Sequence, residues 1–167
     1  AERDGEVYEW AQDDDVKDLT NNIRLISMSA YQKKLGIEFK WAETCGGIDP
    51  GRVHPAALTV GSEHQLGENW VRFSVKDTTG NAASMWGWKD NLEATYKRNM
   101  RWGGDPVGLQ YTKEDEHIDT MSGSLWKRES RVKLVNGLAM PVPDFPHGKL
   151  FFDADIEGVR ELFKELQ

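Results

Sequence analysis

Between Trp70 and Lys76 the chain alternates strictly, with Val71, Phe73 and Val75 on one side of a period-two repeat and Trp70, Arg72, Ser74 and Lys76 on the other. Such a run buries one face only as a β-strand, because a helix would scatter the three apolar side chains around its circumference. The chain is therefore committed to a sheet. Ile37, Phe39 and Trp41 repeat the pattern against Glu38, Lys40 and Ala42, and Val7–Trp10, Ala56–Val60 and Lys149–Phe152 are further strand candidates. The Cys45-Gly46-Gly47-Ile48-Asp49-Pro50-Gly51 run reads as a loop. Asp77-Thr78-Thr79-Gly80-Asn81 reads as a hairpin turn whose second arm is Ala82–Trp88. Asn136-Gly137, between Arg131–Val135 and Leu138–Val142, suits a two-residue hairpin turn.

Three segments carry helical spacing instead. Val16, Leu19, Ile23, Ile26, Ala30 and Tyr31 recur every three or four residues behind Asp13, and Gly36 follows Leu35, which predicts a helix over 14–35. Leu92, Tyr96 and Met100 predict a second from Asp90 to about Arg101, stopped by Gly103-Gly104. Ile156, Val159, Leu162, Phe163 and Leu166 give an amphipathic C-terminal helix, with Asp153 or Asp155 as its cap. Hairpins without regular strand-helix-strand alternation predict an α+β fold: a mainly antiparallel sheet of short strands with about three helices. At 167 residues with no internal repeat, residues 1–167 read as a single domain with an acidic N-terminal segment over 1–18.

No apolar run approaches the roughly 18 residues of a membrane span, and the acidic beginning is unlike a secretory leader. A cytoplasmic protein with no membrane partner is expected. One cysteine cannot form an internal disulfide, which agrees with a reducing compartment. The net charge of −7 is unevenly spread: residues 1–18 carry eight acids against Arg3 and Lys17, whereas the middle of the chain has a slight basic excess. Only a local face could attract a polyanion.

Seven tryptophans are the most unusual feature of the composition. Indole rings fill cores, stack on bases and anchor subunit interfaces with equal facility. Trp10 and Trp41 follow or share apolar strand faces and are assigned to the core. Others are interleaved with basic residues: Trp70 with Arg72; Trp86 and Trp88 before a helix bearing Arg98 and Arg101 and ending near Trp102; and Trp126 with Arg128 and Arg131. Charged groups for phosphates beside flat platforms for bases are what single-stranded nucleic acid binding requires. The leading expectation is a non-catalytic protein of that kind, and the competing one is a structural protein using the same aromatics between subunits of a homo-oligomer.

Catalytic arrangements are sparser. Cys45 with His54 or His64 could serve acyl transfer, with Gly46-Gly47 freeing N–H groups for an oxyanion, and the same three residues lack zinc-site spacing. Glu114-Asp115-Glu116-His117-Ile118-Asp119 concentrates carboxylates around an imidazole, but without the spacing that would turn them toward one cation. A small hydrolase built on Cys45 or on the acids near His117 is the third expectation. No cofactor, metal or nucleotide-loop motif is present.

Overall fold

A computed structural model describes residues 23–49, 56–77, 82–96, 100–104, 119–120, 137–145 and 148–165. In chain order these form β1 (Arg24–Ile26), α1 (Met28–Leu35), β2 (Trp41–Asp49), β3 (Ala56–His64), β4 (Asn69–Asp77), α2 (Ala82–Tyr96), β5 (Arg101–Gly104), β6 (Asp119–Thr120), β7 (Leu150–Asp153) and α3 (Glu157–Glu165). The seven strands make one sheet in the order β1-β7-β4-β3-β2-β5-β6. The two longest ladders, β2 with β3 and β3 with β4, are antiparallel. The pairings of β1 with β7, β4 with β7, β2 with β5 and β5 with β6 are parallel. The α+β class stands; the core strands are mostly antiparallel, as expected, but the sheet as a whole is mixed. The path from β4 to the parallel strand β5 contains α2, as parallel neighbours on β2's side of the sheet require a crossover rather than a hairpin.

Several boundaries differ from the sequence expectation for identifiable reasons. Residues 24–26 are strand rather than helix, because β7 pairs with them and buries Leu25 and Ile26. The helix begins only at Met28, where the Ser27 hydroxyl accepts the Ala30 N–H, and ends as expected at Gly36 with φ 68°. Cys45–Asp49 is strand, not loop. The expected hairpin arm Ala82–Trp88 is the first half of α2, where Met85, Trp86, Lys89 and Leu92 bury along one helical side. Gly103 and Gly104 lie in β5 instead of stopping a helix. Gly137, Leu138 and Ala139 are helical and Val142 bridges to Phe145, so Leu138–Val142 is not a hairpin arm. Val7–Trp10, the acidic segment 1–18, Arg131–Val135 and Asn136 lie outside the described residues.

A bulge in β4 organises the core. Val60 pairs with Phe73, but the next residue, Gly61, pairs with Val71, leaving Arg72 as the extra residue. Alternation therefore changes phase at Arg72. Phe73 and Val75 pack with Leu58, Val60, Met85, Trp86 and Trp102 under α2. Val71 instead joins Leu25, Leu150, Phe152, Val159 and Phe163 under α3 on the opposite side. A third cluster, Ile26, Phe39, Trp70 and Phe151, lies beneath α1 with Tyr31. The C-terminal helix docks as its spacing predicts, through Val159 and Phe163 with Ile156 and Leu162 partly buried. Among the described residues, no helix is long and apolar enough to cross a membrane.

Candidate functional site

Of the aromatic and basic residues singled out in the sequence, the described tryptophans lie mostly inside the protein and in separate clusters, Trp86 and Trp102 in one and Trp70 in another. Trp70 is 1% exposed, stacks on Phe151 at 5.0 Å and donates its indole N–H to Glu68. Trp102 is 2% exposed, donates to Glu93 Oε1 at 2.7 Å and lies 5.9 Å from the Lys89 ammonium. Trp86 is buried in the same cluster, while Trp88 keeps 37% of its surface and leans on Phe73. Arg72 is half-buried between Trp41 and Tyr96, its guanidinium 3.9 and 4.3 Å from their ring centres, and donates to Ser62 Oγ. These cation–π contacts hold α2 against β2 and β4. Arg101 is exposed. Arg98, Trp126, Arg128 and Arg131 lie outside the described residues.

The imidazole of His64 is enclosed. It accepts the Leu66 N–H at Nδ1, so Nε2 carries the proton and donates to Glu68 Oε1 at 2.8 Å, while the ring stacks 4.0 Å from Phe39. Glu68 also accepts the Tyr31 hydroxyl. Burial, then the hydrogen bond to Glu68 and its charge, push the Tyr31 phenol up to about 12. By strand alternation His64 shares the face of Thr44 and Ser62, opposite that of Cys45. Burial first, then the neighbouring Glu43, raises the Cys45 thiol above its ordinary value while Arg101 opposes the shift. A thiol held protonated on the far side of the sheet from His64 lacks the activation a nucleophile needs. His54 and residues 114–118 of the acidic cluster lie outside the described residues.

Asp153 and Asp155 cap a helix, but it is α1 rather than α3. Asp153 accepts the N–H groups of Met28 and Asp155, and Asp155 accepts that of Ser29. Burial raises the Asp153 carboxyl despite these bonds. For Asp155 burial acts the same way, but the Ser27 hydroxyl and the Ser29 N–H and hydroxyl outweigh it and lower its pKa. Among the described residues no group of three or more His, Cys, Asp or Glu side chains is arranged to hold a metal ion.

Among the described residues, one face of β3, β2 and β5 is left open. From Thr44 to Asp49 the register of β2 is unbroken, so Cys45, Gly47 and Asp49 share a face, while Thr44 and Ile48 are buried on the other. Cys45, Gly47 and Asp49 are exposed, and their neighbours on β3, Gly61, Thr59 and Ala57, are half-buried and small. Arg101 pairs with Cys45 in register and joins this face. The two adjacent glycines differ in why they are glycine. A Cβ on Gly46 would collide with the Trp102 ring, whereas one on Gly47 would meet nothing within 4 Å among the described residues. Packing explains the first alone. A glycine in a central strand with open space above it suits the close approach of another backbone or a ligand.

Asp49 closes this strip at the carboxyl end of β2, beside the carboxyl end of the parallel β5. At the other end is a cleft of about 290 Å³ bordered by Glu43, Cys45, Glu63, Asn69, Val71, Leu138 and Leu150. The sequence reading gives Asp49, Glu43 and Glu63 no role, and Gly47 only that of an oxyanion N–H beside Cys45. The available signal was the alternation of Cys45, Gly47 and Asp49 with Thr44, Gly46 and Ile48, which the glycines and the following proline disguise as a turn.

No protein-family model matches the chain, and no curated protein matches it. Solved structures with a similar outline include a mutant gp2c of the large terminase subunit from bacteriophage sf6, with calcium. It shares 18% identity over 81% of this chain and 74% of that one, at a TM-score of 0.44.

Proposed function

We propose that the protein binds one strand of nucleic acid across the open face of β3, β2 and β5, with a phosphate held at the Asp49 end through a divalent cation. The observation that carries this reading is the space above Gly47, unfilled by any described residue, midway along a strip whose side chains are small from Ala57 to Gly61. Three strands at about 4.8 Å spacing make a strip roughly 10 Å wide, room for one extended strand rather than a duplex. Arg101 supplies a direct phosphate contact. A carboxylate by itself repels phosphate, but Mg²⁺ commonly joins one or two carboxylates to substrate phosphates while keeping several waters, and Asp49 supplies one such carboxylate alongside its interaction within the protein. A second reading, hydrolysis of the bound phosphodiester, is favoured by the same placement of Asp49: a cation there would polarise the phosphorus centre and acidify a bound water.

Anisotropy of a labelled single-stranded oligonucleotide tests the proposal. Affinity is expected to rise on adding Mg²⁺ over EDTA, and Asp49→Asn, checked for its thermal stability, to remove that rise. Arg101→Ala is expected to flatten the slope of log K against log salt by about 0.7, one phosphate's share for a single strand. Intact oligonucleotide after incubation with Mg²⁺ would leave binding and remove hydrolysis. No binding at low salt with Mg²⁺ present would overturn the proposal.

A further inference from the structure

We propose that the turn between β3 and β4 is a proton-sensitive latch, in which a proton taken up at His64 Nδ1 opens the turn and loosens its hold on α1 and on the segment leading into β2. The turn is wrapped around the imidazole. The His64 N–H donates to the Glu68 carbonyl and the Gly67 N–H to the His64 carbonyl, while the Leu66 N–H goes to a side chain, reaching His64 Nδ1 at 3.0 Å. A neutral imidazole protonated at Nε2 offers one acceptor, and an imidazolium offers none. Protonation therefore turns the Leu66 contact into two N–H groups facing each other. The ring has no room to swing aside, since it lies flat on Phe39 at 4.0 Å and 14° between planes, with Trp41 across it at 5.6 Å and 2% of the residue exposed. The backbone of the turn must give instead.

The groups around the ring admit the proton without replacing the lost bond. Glu68 accepts the Nε2 proton at 2.8 Å and would do so equally from an imidazolium, so positive charge on the ring has a partner already in place. From α1, Tyr31 donates its hydroxyl to the other Glu68 oxygen; burial and then Glu68 push its phenol up to about 12, so it remains a donor as His64 titrates. Arg24 of β1 acts electrostatically on Tyr31, and Arg72 of β4 lies on the Trp41 ring. Neither guanidinium has an acceptor to offer the Leu66 N–H. Glu38 and Lys40, before β2, are exposed. Two attachments depend on the turn keeping its shape: Glu68 holds Tyr31, and Gln65 holds the segment before β2. The Gln65 N–H donates to the Lys40 carbonyl, and its side chain accepts the Lys40 N–H and donates to the Glu38 carbonyl.

Amide hydrogen exchange of the whole chain at about pH 7.5 and about pH 5.5, spanning the interval in which histidines change charge, tests the latch once rates are corrected for intrinsic chemistry. Protection of Leu66 and Lys40 is expected to fall severalfold at the lower pH. Val60 and Phe73, paired in the middle of the β3–β4 ladder, are expected to keep theirs, which separates local opening from general acid unfolding. His64→Asn isolates the proton: an asparagine oxygen accepts the N–H two residues on, as in an Asx turn, but does not titrate. The variant is expected to protect Leu66 equally at both pH values. Should it fold poorly, ¹⁵N shifts of the wild-type His64 ring serve instead, with an Nε2–H neutral form expected at the higher pH and an imidazolium appearing as the Leu66 amide loses protection. Leu66 protection unchanged between the two pH values overturns the inference. So does a fall in folded His64→Asn as large as in the wild type, or a His64 ring protonated at Nδ1 at the higher pH.

Discussion

Trp102→Ala is expected to remove about 3–5 kcal/mol of folding stability, the range for truncating a large buried aromatic. The ring is 2% exposed and packs directly over Gly46, whose missing side chain makes the space it occupies. Its neighbours Val60, Leu92 and Met100 belong to the same cluster, so the vacated volume lies at the centre of the core rather than at its margin. The substitution also takes the indole N–H from Glu93, 2.7 Å away, and the ring from beside Lys89, whose own ammonium is 3.4 Å from Glu93. A surface stacking residue would show the reverse pattern, with binding lost and stability retained. Urea unfolding followed by circular dichroism measures the difference, and a loss below about 1 kcal/mol would contradict this packing.

Gly158→Ala is expected to destabilise by about 1–3 kcal/mol or more, the cost of overpacking a well-filled contact. The sign makes it informative. In an exposed helix, alanine is favoured over glycine by up to about 1 kcal/mol, so propensity alone predicts a gain. Here α3 lies so close to β4 that a Cβ on Gly158 would collide with the Ser74 carbonyl. That carbonyl belongs to strand β4 where Ser74 pairs with Thr59 of β3, which limits its retreat. The helix must then lift, loosening Val159 and Phe163 from Phe152. Equal or higher stability in urea would show that α3 rests on the sheet less closely.

These two substitutions also mark where the sequence was legible and where it was not. The C-terminal helix was readable because Ile156, Val159, Leu162 and Phe163 form one stripe with few competing signals. Strand β4 was readable too, but its faces were not. Nothing in Trp70–Lys76 announces the bulge at Arg72 that turns Trp70 from the polar side of the pattern into the aromatic core. Trp86 and Trp88 satisfy a two-residue period, and the turn-rich residues before them invite a hairpin. The helical alternative is decided by Met85, Lys89 and Leu92 burying against the sheet. The same long-range cause hid the candidate site. Gly46 and Gly47 look like a loop until Trp102, distant in sequence, is seen to occupy one side of the strand and leave the other open.

Cys45 permits the most direct test of the strand-binding face. It is the chain's single cysteine, it is exposed, and it sits on the open face at the rim of the cleft, four residues from Asp49 and beside Arg101. Its alkylation by a maleimide reports whether anything covers that surface. With saturating single-stranded oligonucleotide and Mg²⁺, the rate is expected to fall severalfold, and in Asp49→Asn at the same oligonucleotide concentration to return toward that of the free protein. An oligonucleotide that binds by anisotropy yet leaves Cys45 reacting at the free-protein rate would contradict the account, because the strand would then lie elsewhere on the molecule.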